Sequence, residues 1–192
     1  SQAEDVFEQI EGLSGDMLIV DTPGQVELFA FREASSHLVD VLGQGRACLI
    51  FLFDPMLSRT PSGFVSQMLL SSIVHFRLGL PTANFLSKTD LLEPEELETI
   101  MEWGDNLDIL EVALYEESER QANDAKSGSQ RAEFAIGQLR MMQNAAIQPG
   151  LIPLSSEIED GLADVLTFAQ SMFGGMGDTR DGYAGDIEDE RL

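Results

Sequence analysis

Met17-Leu18-Ile19-Val20-Asp21-Thr22-Pro23-Gly24-Gln25-Val26-Glu27 is the stretch on which the reading of the whole chain turns. Its first part is apolar without alternation, and it stops at an acid followed by Pro and Gly. That pattern predicts a short strand, Asp16 to Val20, buried on both faces of a sheet and opening into a functional loop. Open α/β sheets bind ligands at such carboxyl ends. In a nucleotide hydrolase an Asp here serves the magnesium shell, a Gly offers its N–H to the terminal phosphate, and a Gln orients the attacking water. Asp-x-x-Gly-Gln is a short string, and it gains weight only from motifs further along the chain.

Three further apolar runs read as strands: Ala47 to Phe53, Ala83 to Leu86 and Leu151 to Leu154. Helical patterns separate them. Val26 to Leu42 places Leu28, Phe31, Leu38 and Leu42 on one face. Thr60 caps a helix whose first residue is Pro61, and Gly79 with Pro81 ends it. Glu93 to Trp103 has Pro94 at its start and Gly104 just past its end. Ser156-Glu157-Ile158-Glu159 has capping-box spacing ahead of Leu162, Val165, Leu166, Ala169 and Phe173. A longer helical insertion, about 106–145, is interrupted by the polar loop Asn123 to Ser129. Strands alternating with helices predict an α/β fold with a mostly parallel sheet.

With 192 residues, 43% of them hydrophobic, the chain can bury one sizeable core. No apolar stretch reaches the length of a membrane span, and Ser1-Gln2-Ala3-Glu4-Asp5 is acidic rather than signal-like, so a cytoplasmic protein is expected. Cys48 stands alone in an apolar run and reads as a buried thiol. Eleven basic against 34 acidic residues give a net charge of −23. Acids spread along the whole chain fit a halophilic surface, whose self-repulsion salt would relieve, or simple solubility. Without a Lys/Arg cluster, direct nucleic-acid binding is disfavoured.

Ser87-Lys88-Thr89-Asp90 closes the third predicted strand. At that position a carboxylate can accept both donors of a guanine edge, N1–H and N2–H, a pair that adenine lacks, while the Lys stem packs over the base. The plainer alternative makes Asp90 a helix cap. Leu154-Ser155-Ser156 closes the fourth strand, where small residues let a backbone N–H reach the guanine O6. Ser156 can equally cap the last helix.

These elements, in this order and each at a strand's carboxyl end, resemble the third, fourth and fifth signature motifs of the P-loop GTPases. The string Asp21-Thr22-Pro23-Gly24-Gln25-Val26-Glu27-Leu28-Phe29-Ala30-Phe31-Arg32 narrows this: it resembles the GPN-loop GTPases, above all their archaeal members. Phe51-Leu52-Phe53-Asp54-Pro55 and Arg77-Leu78-Gly79-Leu80-Pro81, leading to Leu86-Ser87-Lys88-Thr89-Asp90-Leu91-Leu92, fit the same family. The similarity runs from about Asp16 to Phe173. It implies a three-layer P-loop NTPase fold with a helical insertion, and magnesium-dependent hydrolysis of GTP to GDP and phosphate. Asp21 and Gln25 would be catalytic, Asp21 also binding Mg2+ through water. Gly24, Lys88, Asp90, Ser155 and Ser156 would bind nucleotide. The resemblance further implies a dimer, with an identical subunit or a paralogue, and a nucleotide-dependent switch in protein-complex assembly. RNA polymerase assembly is the client role of eukaryotic relatives.

Three departures from the family pattern stand out. Ser87 replaces the usual Asn of the base-reading motif, and Ser156 replaces the usual Ala of the last one. Moreover, these 192 residues contain no Gly-x-x-x-x-Gly-Lys-[Ser/Thr] and no Gly-Pro-Asn. In the family both lie upstream, and the first strand is central, between those ending at Asp21 and Phe53. Without it two apolar edges would stand unpaired. Residues 1–175 are therefore expected to be the C-terminal portion of a GTPase domain, inactive alone, and 176–192 an acidic, disordered tail. Two other readings compete: a non-hydrolysing interaction module, and an ATPase of the same fold.

Other residues invite blander roles. Glu27 reads as a first-turn helix acid, Asp54 as a cap or a site-lining acid, and His37 and His75 as surface or packing residues. Trp103 and Met141-Met142 read as core or interface fillers. Glu111, Glu116, Glu117 and Glu119 read as a solvated helix face rather than a metal site, and Arg32 and Arg59 as surface ion-pair partners rather than phosphate-facing arginines.

Overall fold

A computed structural model describes residues 17–22, 24, 39, 47–123 and 129–173. The expectations placed on Gln25, Glu27, Arg32, His37, the helix from Val26 and the acidic tail lie outside these residues. The described elements run β1 (Leu49–Phe53), α1 (Pro55–Ser58), α2 (Pro61–Leu78), β2 (Thr82–Leu86), a 3-10 turn (Thr89–Leu91), α3 (Pro94–Asp105), α4 (Leu107–Asn123), α5 (Ser129–Asn144), β3 (Leu151–Pro153) and α6 (Leu162–Phe173). The strands form a parallel sheet in the order β1-β2-β3, with Phe53 opposite Leu86 and Leu86 opposite Pro153. An α/β architecture with a parallel sheet is what the alternation of strands and helices predicts. No helix among the described residues is long and apolar enough to cross a membrane.

Local chemistry explains most boundaries. The Thr60 hydroxyl accepts from Gly63 N–H (3.2 Å), Pro61 occupies the first helical position, and Gly79 closes α2 in the left-handed conformation with its N–H on His75 O (2.8 Å). Asp54 does cap: its Oδ1 accepts from Met56 N–H (2.7 Å) and Leu57 N–H (3.1 Å) at the start of α1. At α3, Glu93 N–H donates to Glu96 Oε2 (3.0 Å), which also pairs with Arg59 (2.9 Å).

One core joins the sheet to the insertion. Phe51 and Phe53 point from β1 onto α2, where Phe53 meets Phe64 and Phe64 meets Trp103 of α3 edge-on. Leu110 and Leu114 of α4 and Leu139 and Met142 of α5 complete the same cluster. Trp103 and Met142 are thus core residues, whereas Met141 faces solvent. Cys48 is half-buried, and burial pushes its thiol pKa up, so it is a poor nucleophile. His75 presents Nδ1 to Leu80 O (2.8 Å) and Thr82 Oγ1 (3.0 Å), a packing role at the end of α2.

Four expectations need correction. Residues 17–20 pair with no strand and are exposed, Ile19 by 79%. An apolar run becomes a doubly buried strand only beside a paired neighbour, and among the described residues this run has none. Gly104 lies inside α3 rather than beyond it, because the last turn packs on β3. A Cβ on Gly104 would stand 3.0 Å from the Cβ of Leu151, and the helix runs on to Asp105, with Asn106 as its C-cap. Residues 156–159 form a turn closed by a Ser155–Asp160 bridge, and α6 begins only at Leu162. The hydroxyl of Ser155, not that of Ser156, takes the amide of Glu157 (3.2 Å), so no capping box forms. Glu117 belongs to no solvated face. It is buried and accepts from Ser62 N–H (2.9 Å) and Ser62 Oγ–H (2.8 Å) at the first turn of α2, and from Gln121 Nε2 (3.0 Å).

Candidate nucleotide-binding site

Parallel strands leave their carboxyl ends together, and here those ends carry Ser87, Lys88, Asp90, Ser155 and Ser156. Ser87 donates twice to one acceptor: its N–H (3.0 Å) and its hydroxyl (2.9 Å) both bond Phe53 O, tying the end of β2 to the end of β1. Lys88 then adopts the left-handed conformation, φ 52 and ψ 45. A side chain held there costs about 1 kcal/mol or more and persists only where surroundings impose it. The bend turns the chain out of the sheet into the 3-10 turn, with Leu91 N–H on Lys88 O (3.0 Å). Thr89 is buried, and its N–H reaches Leu154 O (3.3 Å) beyond β3, while Leu154 N–H returns to Leu86 O (2.8 Å). The loop is clamped from both neighbouring strands.

That clamp sets Asp90 beside Ser155. The Ser155 hydroxyl donates to Asp90 Oδ1 at 2.5 Å, and Ser155 is only 1% exposed. Its own N–H bonds Asp160 O (3.0 Å), so the serine is fixed from several sides. Asp90 itself is exposed. A carboxylate can accept about four hydrogen bonds, so the serine leaves room for two more from an incoming donor pair. Lys88, also exposed, stands two residues away on the same loop. Ser156 is exposed in the turn beyond β3. The two downstream motifs thus meet in space, through a contact that the spacing of Asp90 and Ser155, 65 residues apart, does not announce.

The upstream motif does not join them. Asp21 and Gly24 are exposed, Asp21 makes no hydrogen bond or ion pair with the base loop among the described residues, and Gln25 lies outside these residues. Magnesium sites use one or two carboxylates together with phosphates. Among the described residues no cluster of three acids, His or Cys is present, so an ion here would rest on the single carboxylate of Asp21 together with the phosphates of a bound nucleotide. A cleft of about 650 Å³ lies elsewhere, between the start of α2, α3 and α4, lined by Arg59, Trp103, Glu117, Arg120 and Gln121. Arg59 spends its guanidinium on Glu96 and on Leu91 O (3.3 Å).

Comparison with known proteins gives the family and the fold. A family model described as a conserved hypothetical ATP binding protein matches residues 1–175. A GPN-loop GTPase of Pyrococcus abyssi is 26% identical over 163 residues, 85% of this chain and 61% of that protein. The chain belongs to the GPN-loop GTPase family. GPN-loop GTPase 2 of Xenopus laevis is 36% identical over 87 residues, 44% of this chain and 27% of its own length. The crystal structure of a GTPase in apo form from Pyrococcus abyssi superposes with a TM-score of 0.72 at 24% identity, over 90% of this chain and 65% of that one. The fold is that of the P-loop GTPases. The chain spans less than two thirds of the length of these relatives. The family model is described by ATP and the GPN-loop relatives by GTP, so the base is the chemical question this site poses.

Proposed function

We propose that the protein binds and hydrolyses GTP with Mg2+ and works as a nucleotide-dependent switch, Asp90 being the residue that selects guanine. The observation that carries this reading is the Ser155–Asp90 hydrogen bond at the joined ends of β2 and β3. It fixes one carboxylate, outward and exposed, where open α/β sheets take their ligands. Two N–H donors on one base edge match it, and adenine offers no such pair. Lys88 flanks the base, Ser155 and Ser156 line its far side, Gly24 meets the terminal phosphate and Gln25 orients the attacking water. Asp21 offers a carboxylate to the magnesium shell through water. The phosphate cradle is not encoded in these 192 residues, so hydrolysis is a property of a polypeptide that supplies one. A cytoplasmic dimer with a protein client, RNA polymerase assembly by analogy, completes the reading.

The test is nucleotide binding by the native polypeptide carrying Asp90→Asn. Asn sets an N–H donor against the donors of guanine and should cost about tenfold to a hundredfold in GTP affinity. ATP binding should stay weak and unchanged. Unchanged GTP affinity would sink the guanine assignment and favour the ATPase reading. A second reading, a non-hydrolysing interaction module, draws on the exposed, unpaired run 17–20. Intact mass and N-terminal sequence separate the two. A heavier polypeptide with a phosphate-binding loop upstream supports the GTPase, and a mass of 21.1 kDa supports the module.

A further inference from the structure

The loop that carries Asp90 is gripped by carbonyls before that residue and by a side chain after it. Ser87 and Thr89 donate to Phe53 O of β1 and to Leu154 O beyond β3, and both contacts precede Asp90. Past Asp90 the turn is closed by the Leu91–Leu92 peptide. Its N–H donates to Thr89 O (3.1 Å), and its carbonyl, Leu91 O, accepts from Arg59 Nη2 (3.3 Å), 32 residues upstream. The same Nη2 donates to Glu96 Oε2 (2.9 Å) at the start of α3, and Nη1 donates to Met56 Sδ (3.2 Å) on α1. A planar fork serves three acceptors in different directions, which an ammonium on a flexible stem does less well. The backbone that Arg59 leaves from is fixed too. Ser58 is fully buried, and its hydroxyl donates to Asp54 O (2.8 Å). The buried Gln67 accepts from Asp54 N–H (2.5 Å), and its Nε2 donates to Asp54 O (3.2 Å) and Ser58 Oγ (2.8 Å). Asp54 directly follows β1, so Arg59 ties the exit of the Asp90 turn to the strand that Ser87 grips at its entry.

We propose, resting on the reading of Asp90 as the guanine selector, that Arg59 is a positioning residue for the base: by holding Leu91 O it closes the turn behind Asp90 and fixes the direction of its carboxylate. The pair with Glu96 is exposed on both sides and contributes little of itself. What Arg59 adds to binding is therefore the bond to the carbonyl. Without it the Leu91–Leu92 peptide regains freedom that guanine must remove again when it binds. Lys88, strained in the left-handed region at the entry of the turn, makes that release easier. A base that presents two donors to Asp90 depends on the order of the turn more than a base that presents one.

The experiment is titration of the native polypeptide with GDP and with inosine diphosphate, for Arg59→Met and Glu96→Gln. Met keeps the length of the side chain and drops every donor, whereas Gln at 96 removes the charge and leaves Arg59 its bond to Leu91 O. Arg59→Met should raise the GDP dissociation constant roughly three- to tenfold and that of inosine diphosphate less than about twofold. Glu96→Gln should leave both within about twofold. A second measurement reads the turn directly, in folded protein checked by circular dichroism. Hydrogen exchange of the Leu92 amide should quicken at least roughly tenfold in Arg59→Met and hold in Glu96→Gln. Equal losses for the two nucleotides, an unmoved Leu92 amide, or a preference that shrinks as much in Glu96→Gln would each overturn the assignment. Asp90→Asn keeps the two questions apart. If it leaves GTP affinity unchanged, the guanine reading falls; if it weakens GTP while Arg59→Met alters neither preference nor exchange, only the role of Arg59 falls.

Discussion

Ser155→Ala probes the proposed base site through a residue that no nucleotide need touch with its side chain. The hydroxyl donates to Asp90 Oδ1 at 2.5 Å and accepts from Glu157 N–H at 3.2 Å. A hydrogen bond to a charged group contributes about 1.5–3 kcal/mol when buried on both sides. Asp90 is exposed, so water takes the place of the serine on the carboxylate, and the stability loss should fall to about 1 kcal/mol. Binding suffers for another reason. Without its anchor the Asp90 side chain regains rotamers that guanine must freeze again, costing about 0.5–1.5 kcal/mol. That corresponds to a GDP dissociation constant raised roughly two- to tenfold. The assay is fluorescence titration with GDP and with the inosine analogue, alongside urea unfolding. Because the analogue lacks the 2-amino donor, it leans less on a fixed carboxylate, and the GDP-to-inosine preference should shrink. GDP affinity within about twofold of wild type, with the stability loss present, would reduce Ser155 to a structural residue and refute the positioning argument.

Three other outcomes are expected. Gly161 sits at φ 72 with the Pro153 carbonyl where a Cβ would go, so Gly161→Ala should lose about 2–4 kcal/mol in urea unfolding; a loss below about 0.5 kcal/mol would mean that the turn simply reshapes. The Glu93 N–H, and after it Arg59, holds the Glu96 carboxyl below the usual range. Its contribution is therefore present above the unfolded carboxylate pKa and lost as pH falls through the lowered value. The melting-temperature gap between wild type and Glu96→Gln should be constant near neutrality and close in acid; a gap independent of pH would count against it. In the native polypeptide, Gln25→Ala should spare GTP affinity while slowing turnover roughly ten- to a thousandfold, and unchanged turnover would remove Gln25 from the mechanism.

Where the chemistry is local, the amino-acid sequence already contains the structure. Thr60-Pro61 and Gly79-x-Pro81 bound α2 because a cap hydroxyl, a missing N–H and a left-handed closing residue act within one turn. The residues proposed to read the base are legible for a similar reason: each comes directly after an apolar strand. What escapes is tertiary. Ser155 and Ser156 are chemically equal as caps, and only burial of the first decides which hydroxyl takes the amides. Gly104 resembles a helix stop until β3 is seen pressing on it. Glu117 is indistinguishable from Glu116 in a run of acids, yet it alone faces the first turn of α2. Residues 17–20 carry strand chemistry without a strand, since a ladder is a property of two segments.

In the proposed site, the placing of Asp90 belongs to the strands more than to the loop. Phe53 O takes both donors of Ser87 from one side, and Leu154 O takes the amide of Thr89 from the other. What the position of Ser87 must supply is a donor aimed at β1, and a serine supplies two, its amide and its hydroxyl. This accounts for the absence of the family's usual Asn without loss of the bend at Lys88. The side chain differs, but the carbonyl that fixes the loop's exit stays with the sheet. Ser155 completes the arrangement from β3, so Asp90 is aimed by two strands that meet only because their order is parallel and adjacent. The carboxylate's direction is therefore a consequence of register, Leu86 opposite Pro153, and a one-residue slip there would misplace it as surely as its removal.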